Sequence, residues 1–476
     1  MAGDSSSAGI IDQLFSGLVE LTPEMDVVPD LAHSWEVSED GRRFTFHLRD
    51  NLHWSDGAPL TARDFEYAWK RALDPATRSP NASLLYEVKG ARALHRGDLV
   101  DPDEVGVRAL DDATLLVDLA EPSGCFLQLL TDLGTYAVPG HVVQSHGEAW
   151  TEVNNLVTSG PFRLEAWHRG ETMSLLRNPE YQGRFTGNVQ RVELYLFDEL
   201  SAALAMYETD ELDIVDLPPV EMDRARQRHA GEYFSVPRLV THYVGFDVSR
   251  PPFDDLQVRR ALAMATDRER LAHVVLRGYE TPATGGFVPP GMPGHSTGIA
   301  LPYDPERANQ LLAQAGYPGG LGFPSLDLLT NSYREAQGQY LEAQWRQNLG
   351  LQVRCRVMEW AAFLDRLDRR PPRIFIGGWL ADYPDPDSFM RTSPVRRYTR
   401  WRNEAYDGLV EKARRIVDQA ERVKLYQQAD RILVDEAPII PLDHHQAHLL
   451  LKPWVSKYPL AAIGPPMWKN IVIEPH

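Results

Sequence analysis

Cysteine is almost missing: among 476 residues there are two, Cys125 and Cys355. Two thiols that far apart exclude a disulfide framework and match no metal-site spacing, which leaves them the role of small buried hydrophobes. Lysine is scarce too, at seven of the 49 basic residues, a bias that reads as base composition rather than mechanism. Basic charge is outweighed throughout. A net charge of -18 argues against a nucleic-acid or anionic-membrane partner, since both need a basic face. No apolar run is long enough to span a bilayer. The first residues, Met1-Ala2-Gly3-Asp4-Ser5-Ser6-Ser7, lack the basic and apolar regions of a signal peptide. Also missing are His-Glu-x-x-His, Gly-x-Ser-x-Gly and a phosphate-cradling glycine loop, so nothing favours an enzyme and no catalytic residue is assigned.

What remains is an ordinary globular composition, 43% hydrophobic and 24% charged, in a chain long enough for two or three domains. Phe44-Thr45-Phe46-His47-Leu48 alternates as a half-buried strand does, and Thr61 caps a helix from about Ala62 through Trp69. Further strands are read at 106–119 and after Gly160-Pro161-Phe162. The second half is more regular. Asp304 and Pro305 open a helix that closes at Gly316. Strand is read at 326–330, helix at 334–349, strand at 351–358, helix at 361–369 and strand at 373–377. Helices at 404–417 and 421–435 precede a strand at 439–442. That alternation predicts βαβ units and a parallel sheet.

The most informative stretch is Gly377-Gly378-Trp379-Leu380-Ala381-Asp382-Tyr383-Pro384-Asp385-Pro386-Asp387-Ser388-Phe389. Two glycines without Cβ atoms admit another backbone, and a carboxylate between two aromatic rings follows just past the strand. That is the end of an α/β sheet at which ligands bind, and a carboxylate among rings suits a small cation such as an amine. The competing reading makes Asp382 the cap of a turn.

Ordered blocks over nearly the whole chain resemble the peptide-type extracytoplasmic solute-binding proteins of ABC transporters (family 5), the oligopeptide-binding proteins above all. They are Leu31–Glu36 with Arg43–Arg49, Trp54–Gly57 with Thr61–Phe65, and Arg177–Tyr181. Phe253–Asp255 with Val258–Leu262 and Asp267-Arg268, Tyr303–Pro305 with Ala315–Tyr317, the Gly378–Phe389 segment and Lys452–Val455 follow in order. The resemblance implies an α/β, two-lobed periplasmic-binding-protein fold (Venus-flytrap, cluster C type) with an extra inserted domain, closing by hinge rotation. Mapped here, lobe 1 gathers residues 1–25, 149–239 and 446–476, the inserted domain is 26–148, and lobe 2 is 240–445. It also implies that Asp382 holds a ligand's α-ammonium group, without which burying that charge is prohibitive. The backbone of Leu380, Ala381, Asp382 and Tyr383, and that of Val240, Thr241, His242 and Tyr243, would pair with an extended peptide. Trp360 and Trp379 match aromatic positions of the site, with core packing as their alternative.

The chain departs from that pattern in two places. Leu367 and Ile376 stand where relatives place arginines facing the ligand's carboxylate end, while Arg334 replaces a histidine and could take the carboxylate instead. These losses imply a ligand of different length or class. The strand that opens family members ahead of 5–17 is absent, so either the chain is a fragment or its start lies upstream, with a signal peptide before it. Expected partners are an oligopeptide or similar amine-bearing ligand and ABC permease subunits, for a periplasmic or extracellular membrane-anchored monomer with no cofactor. A nickel or haem-chelate binder, a binder of sugars or other small organics, and a sensory domain are alternatives on this fold. The one histidine cluster, Asp443-His444-His445-Gln446-Ala447-His448, converges poorly on a strand, because His445 points away from His444 and His448.

Overall fold

The alternation at Phe44, Phe46 and Leu48 buries one face of a strand, Arg43–Leu48, and leaves Thr45 and His47 partly exposed. This is a computed structural model, which describes residues 5–197, 200–464 and 466–476; residues 1–4 of the N-terminal stretch considered above lie outside the described residues. Arg43–Leu48 pairs antiparallel with Ala32–Val37 and Thr114–Asp118, and Val107–Ala109 completes a four-stranded sheet. A helix, Ala62–Leu73, packs Phe65, Ala68, Trp69 and Leu73 inward. It starts where sequence places it. The Thr61 hydroxyl oxygen accepts the Arg63 N–H at 3.3 Å, and the Asp64 carboxylate accepts the Thr61 N–H at 2.8 Å.

These elements belong to the first of two compact units, residues 1–236 with 447–476; the second is 237–446. A three-stranded antiparallel sheet of Phe162–His168, Thr172–Arg177 and Arg191–Tyr195 also lies in the first unit. One buried cluster joins Leu14, Phe44, Trp69, Phe162, Leu175 and Ile471, so the stretch 26–148 shares its core with the segments that flank it.

The second unit is built on β1 (Tyr233–Phe246), α1 (Pro305–Gln314), β2 (Leu326–Asn331), α2 (Glu335–Leu349), β3 (Val353–Met358), α3 (Trp360–Arg369), β4 (Ile374–Leu380), α4 (Glu404–Arg414), α5 (Gln419–Glu436) and β5 (Ile439–Leu451). The chain enters this unit within β1 and leaves it within β5. β2 runs parallel to both β3 and β4, as the βαβ pattern predicts. β1, however, is antiparallel to β4, so the sheet is mixed and not parallel throughout. Helix–strand alternation reports only strands joined by helical crossovers, and β1 comes from a segment with no such pattern. Val244, Phe246, Leu328, Trp345, Ile374 and Ile376 fill the core between this sheet and its helices.

Candidate functional site

Strand β4 is paired on its two edges to different depths. Against β1 the register covers all seven residues: Val240 faces Leu380, Thr241 faces Trp379, His242 faces Gly378 and Tyr243 faces Gly377. The Ala381 N–H extends the ladder to the Leu239 carbonyl at 2.9 Å. Against β2 only Ile374 and Phe375 are in register. Past Phe375 that second edge of β4 has no strand beside it among the described residues, and it runs straight into Asp382.

The loop that follows is fixed from beneath. Ser388 Oγ accepts the Asp382 N–H at 3.0 Å, while the Trp379 indole N–H donates to the Ser388 carbonyl at 2.9 Å. Thr392 Oγ1 lies 3.4 Å from the Asp382 carboxylate. One turn lower, fully buried Asp387 accepts the hydroxyls of Tyr383 at 2.7 Å and Tyr426 at 2.6 Å, together with the Arg391 Nε–H. Burial pushes the Asp387 carboxyl up, but Arg391 and the hydroxyls outweigh it and hold it below the ordinary range. Asp385 pairs with Arg422 at 2.5 Å with both side chains 1% exposed. Burial wins there despite the guanidinium, and the Asp385 carboxyl rises to about 6. On the far side of the sheet the Thr241 hydroxyl donates to the Phe287 carbonyl at 2.9 Å, and the Phe287 ring meets Tyr243 and Phe389 edge-on. The Phe287 N–H in turn donates to Asp430 at 2.8 Å.

The opposite face carries a closed polar cluster. His242 Nδ1 lies 2.6 Å from Asp443 Oδ1, and His445 Nδ1 lies 2.9 Å from Glu280 Oε1. Arg334 leans over bare Gly378, where an added Cβ would come within 2.7 Å of its Nη2 and 2.9 Å of His242 Cδ2. Burial pulls the Arg334 pKa down, against the pull of Asp443 and Glu280. Burial and Arg334 likewise hold His242 toward its neutral form, while Asp443 opposes them. His444 points the other way, to Thr241 Oγ1 at 2.9 Å, and burial drops it to about 3. His448 pairs with Tyr233 at 2.6 Å. The histidines of β5 thus leave in different directions, and no described group of three or more His, Cys, Asp or Glu could hold a metal ion.

The structure brings Trp379, Leu380, Ala381 and Asp382 together with Val240–Tyr243 and sets Arg334 against them. It changes what several of them do. The backbone of Val240–Tyr243, expected to pair with ligand, is already paired with Gly377–Leu380, and β1 lies between β5 and β4 within the sheet. Thr241, His242 and Tyr243 are buried side chains that support β4. Ala381 and Tyr383 are buried as well, whereas Trp379, Leu380, Asp382, Val240 and Arg334 keep partly exposed surface. Trp360 is 39% exposed, its ring edge-on to Tyr333, which is 77% exposed. Leu367 and Ile376 are 3% and 0% exposed, inside the core. Sequence reasoning passed over Ser388, Thr392, Asp385 and Arg422. The crowding of Asp, Pro and Ser after Tyr383 marks a turn, but the Arg422 partner sits 37 residues away.

A sequence profile described as "Bacterial extracellular solute-binding proteins, family 5 Middle" matches residues 26–396. The chain is 36% identical to the probable deoxycholate-binding periplasmic protein YgiS of Escherichia coli, over 96% of this chain and 87% of that protein. It is 31% identical to the periplasmic oligopeptide-binding protein OppA of E. coli, over 95% of this chain and 85% of the other. Its structure matches that of the E. coli murein tripeptide binding protein MppA with a TM-score of 0.87 and 30% identity, covering 100% of this chain and 95% of that one. The fold is therefore that of the periplasmic binding proteins, and the relatives are binding proteins rather than enzymes.

Proposed function

The chain belongs to family 5 of the bacterial extracellular solute-binding proteins, and from that premise we propose that it captures oligopeptides as the extracytoplasmic, monomeric component of an ABC importer, delivering them to permease subunits. The single observation that carries this reading is the bare edge of β4 leading into Asp382. An extended peptide adds a strand there through main-chain hydrogen bonds, which makes affinity tolerant of side chains. Its α-ammonium group meets the Asp382 carboxylate, and Trp360, Trp379 and Leu380 offer apolar surface beside it. Val240–Tyr243 act from behind by holding β4 in place, and Arg334 forms part of the wall. No nucleophile is needed, and no turnover is expected. No helix of the described residues is long and apolar enough to cross a membrane.

Isothermal titration in four combinations tests this: wild type and Asp382→Ala, each with a free and an N-acetylated peptide. A buried ion pair that loses one partner costs about 3–5 kcal/mol. Asp382 is half-buried, so a loss of ~2–3 kcal/mol is expected after allowance for solvent screening. Acetylation should cost wild type the same, and the two losses should not add. Unchanged affinity on acetylation would remove Asp382 as the amine anchor and leave it the cap of its turn.

A second reading follows from a separate observation. The exposed Tyr333–Trp360 pair and the similarity to YgiS together favour an amphipathic ligand such as a bile acid. Deoxycholate that binds but fails to compete with peptide would reject a shared site; competition by deoxycholate at a lower concentration than any peptide would replace the first reading with the second.

A further inference from the structure

Arg268, in the second unit, is a cation 6% exposed that no carboxylate pairs with among the described residues. Its Nε donates to the Pro441 carbonyl at 2.7 Å and its Nη1 to the Leu301 carbonyl at 3.1 Å. Those bonds tie β5 to the segment ahead of α1, but neutral carbonyls do not cancel a charge. Nη2 finds no acceptor among the described residues and keeps some open surface. Burial alone acts on its pKa and pulls it down to about 10. A guanidinium taken out of water in this way weakens the fold unless an anion answers it.

Arg268 lines a cavity of about 110 Å³, several times the 10–15 Å³ or so that one water needs. Thr266 lies beside it in the lining, with its hydroxyl already engaged by the Leu262 carbonyl at 2.8 Å and the Trp345 indole at 3.0 Å. Leu301, Pro302 and Tyr303 give the wall an apolar stretch, and Thr284, Pro302 and Tyr303 are exposed. Two acids also line the cavity without reaching Arg268. Asp267 Oδ1 accepts the Arg270 N–H at 2.9 Å, and Glu269, its side chain 60% exposed, pairs with His273 at 3.1 Å. Their charges disfavour a guest with more than one negative charge. Pro441 belongs to β5, which β1 separates from β4 in the sheet, so this cavity is apart from the β4 edge.

We propose that the cavity is a second binding site, for a small monovalent carboxylate of acetate to butyrate size, with its oxygens on the Arg268 guanidinium and its carbon chain against Leu301, Pro302 and the Tyr303 ring. A planar carboxylate matches the guanidinium fork, and a monoanion cancels its single charge. The proposal stands independently of the peptide reading.

The test is a ligand-observed NMR titration of butyrate against the full chain, at constant ionic strength in chloride. Saturable broadening is expected, with half-saturation on the order of 1–10 mM for so small an ion. Butyramide, of the same shape without the charge, should bind at least about tenfold more weakly. Thr284→Phe and, separately, Pro302→Trp fill the cavity from exposed positions and leave Arg268 in place. Each should abolish butyrate binding in protein that keeps the wild-type circular-dichroism spectrum. Two plugs at different residues serve if one variant does not fold, and the comparison of acid with amide on the wild type needs neither. Failure to saturate, equal affinity for butyrate and butyramide, or binding that survives in a folded plugged variant would each overturn the inference. Phosphate binding more tightly than butyrate would overturn the choice of a monovalent carboxylate.

Discussion

Asp430 sits on α5 with 0% exposure, one oxygen accepting the Phe287 N–H at 2.8 Å and the other sealed without a hydrogen-bond partner among the described residues. Burial raises its carboxyl from 3.8 to about 7, against the pull of the Phe287 and Val288 backbone donors. The native state therefore holds a proton that the unfolded chain gives up near pH 4. Stability from this group is fully present below the unfolded value and is lost as pH rises toward 7. Each pH unit in that interval is worth about 1.4 kcal/mol, so the whole swing is ~4 kcal/mol. Asp430→Asn keeps the acceptor for Phe287 and removes the titration. The variant should be more stable than wild type at pH 8, by ~2–3 kcal/mol after about 1–2 kcal/mol is subtracted for an amide N–H that finds no acceptor. At pH 5 the advantage should shrink or reverse. Urea denaturation of the full chain at pH 5, 6, 7 and 8, read as wild type minus variant, isolates Asp430 from other raised acids such as Asp12 and Glu20, each near 7. A difference that is flat across those four pH values would refute the argument. Because Phe287 also supports Thr241, Tyr243 and Phe389, ligand affinity should follow the same pH dependence as stability.

Two further outcomes are expected. Gly378→Ala should cost about 1–3 kcal/mol in thermal unfolding, because the new methyl displaces Arg334 and His242; an unchanged melting temperature would mean that Arg334 does not pack there in solution. Arg422→Met should cost about 3–5 kcal/mol by stranding Asp385, and adding Asp385→Leu should recover most of it, since a buried pair exchanged for apolar groups is often neutral; a double variant no better than the single would show that the pair does more than neutralise itself.

Much of the second unit can be read from sequence where both ends of an element carry their own chemistry. Asp304 and Pro305 start α1 and Gly316, at a φ of +91°, follows its end, so nothing distant is needed to find it. Gly377 and Gly378 do mark a close approach, although they lie inside β4 and not beyond its end, since the strand runs on to Leu380. β5 shows the limit. Its apolar opening, Ile439–Leu442, is legible, while Asp443-His444-His445 look like the polar end of a strand that in fact continues to Leu451. They are tolerated inside because partners about 200 residues away, His242 and Thr241, answer them. The same holds for β1, where Pro237 interrupts the pattern of a 14-residue strand whose pairing comes from β4. At the site, Asp382 and its aromatic neighbours stand out by residue type, whereas Ser388, Asp430 and Arg422, which hold them in place, matter only through contacts the chain makes after folding.

The bare edge of β4 has a cost of its own. An edge with no strand beside it past Phe375 among the described residues is a template for any extended chain, a second copy of this protein included, and such edges are where sheets begin to aggregate. Pro384 and Pro386 directly after the strand cannot extend that template, and the Arg334 charge lies over its middle. If β4 catches passing peptides as proposed, the same open edge exposes the protein to capture by its own kind, and a bound ligand would cover it.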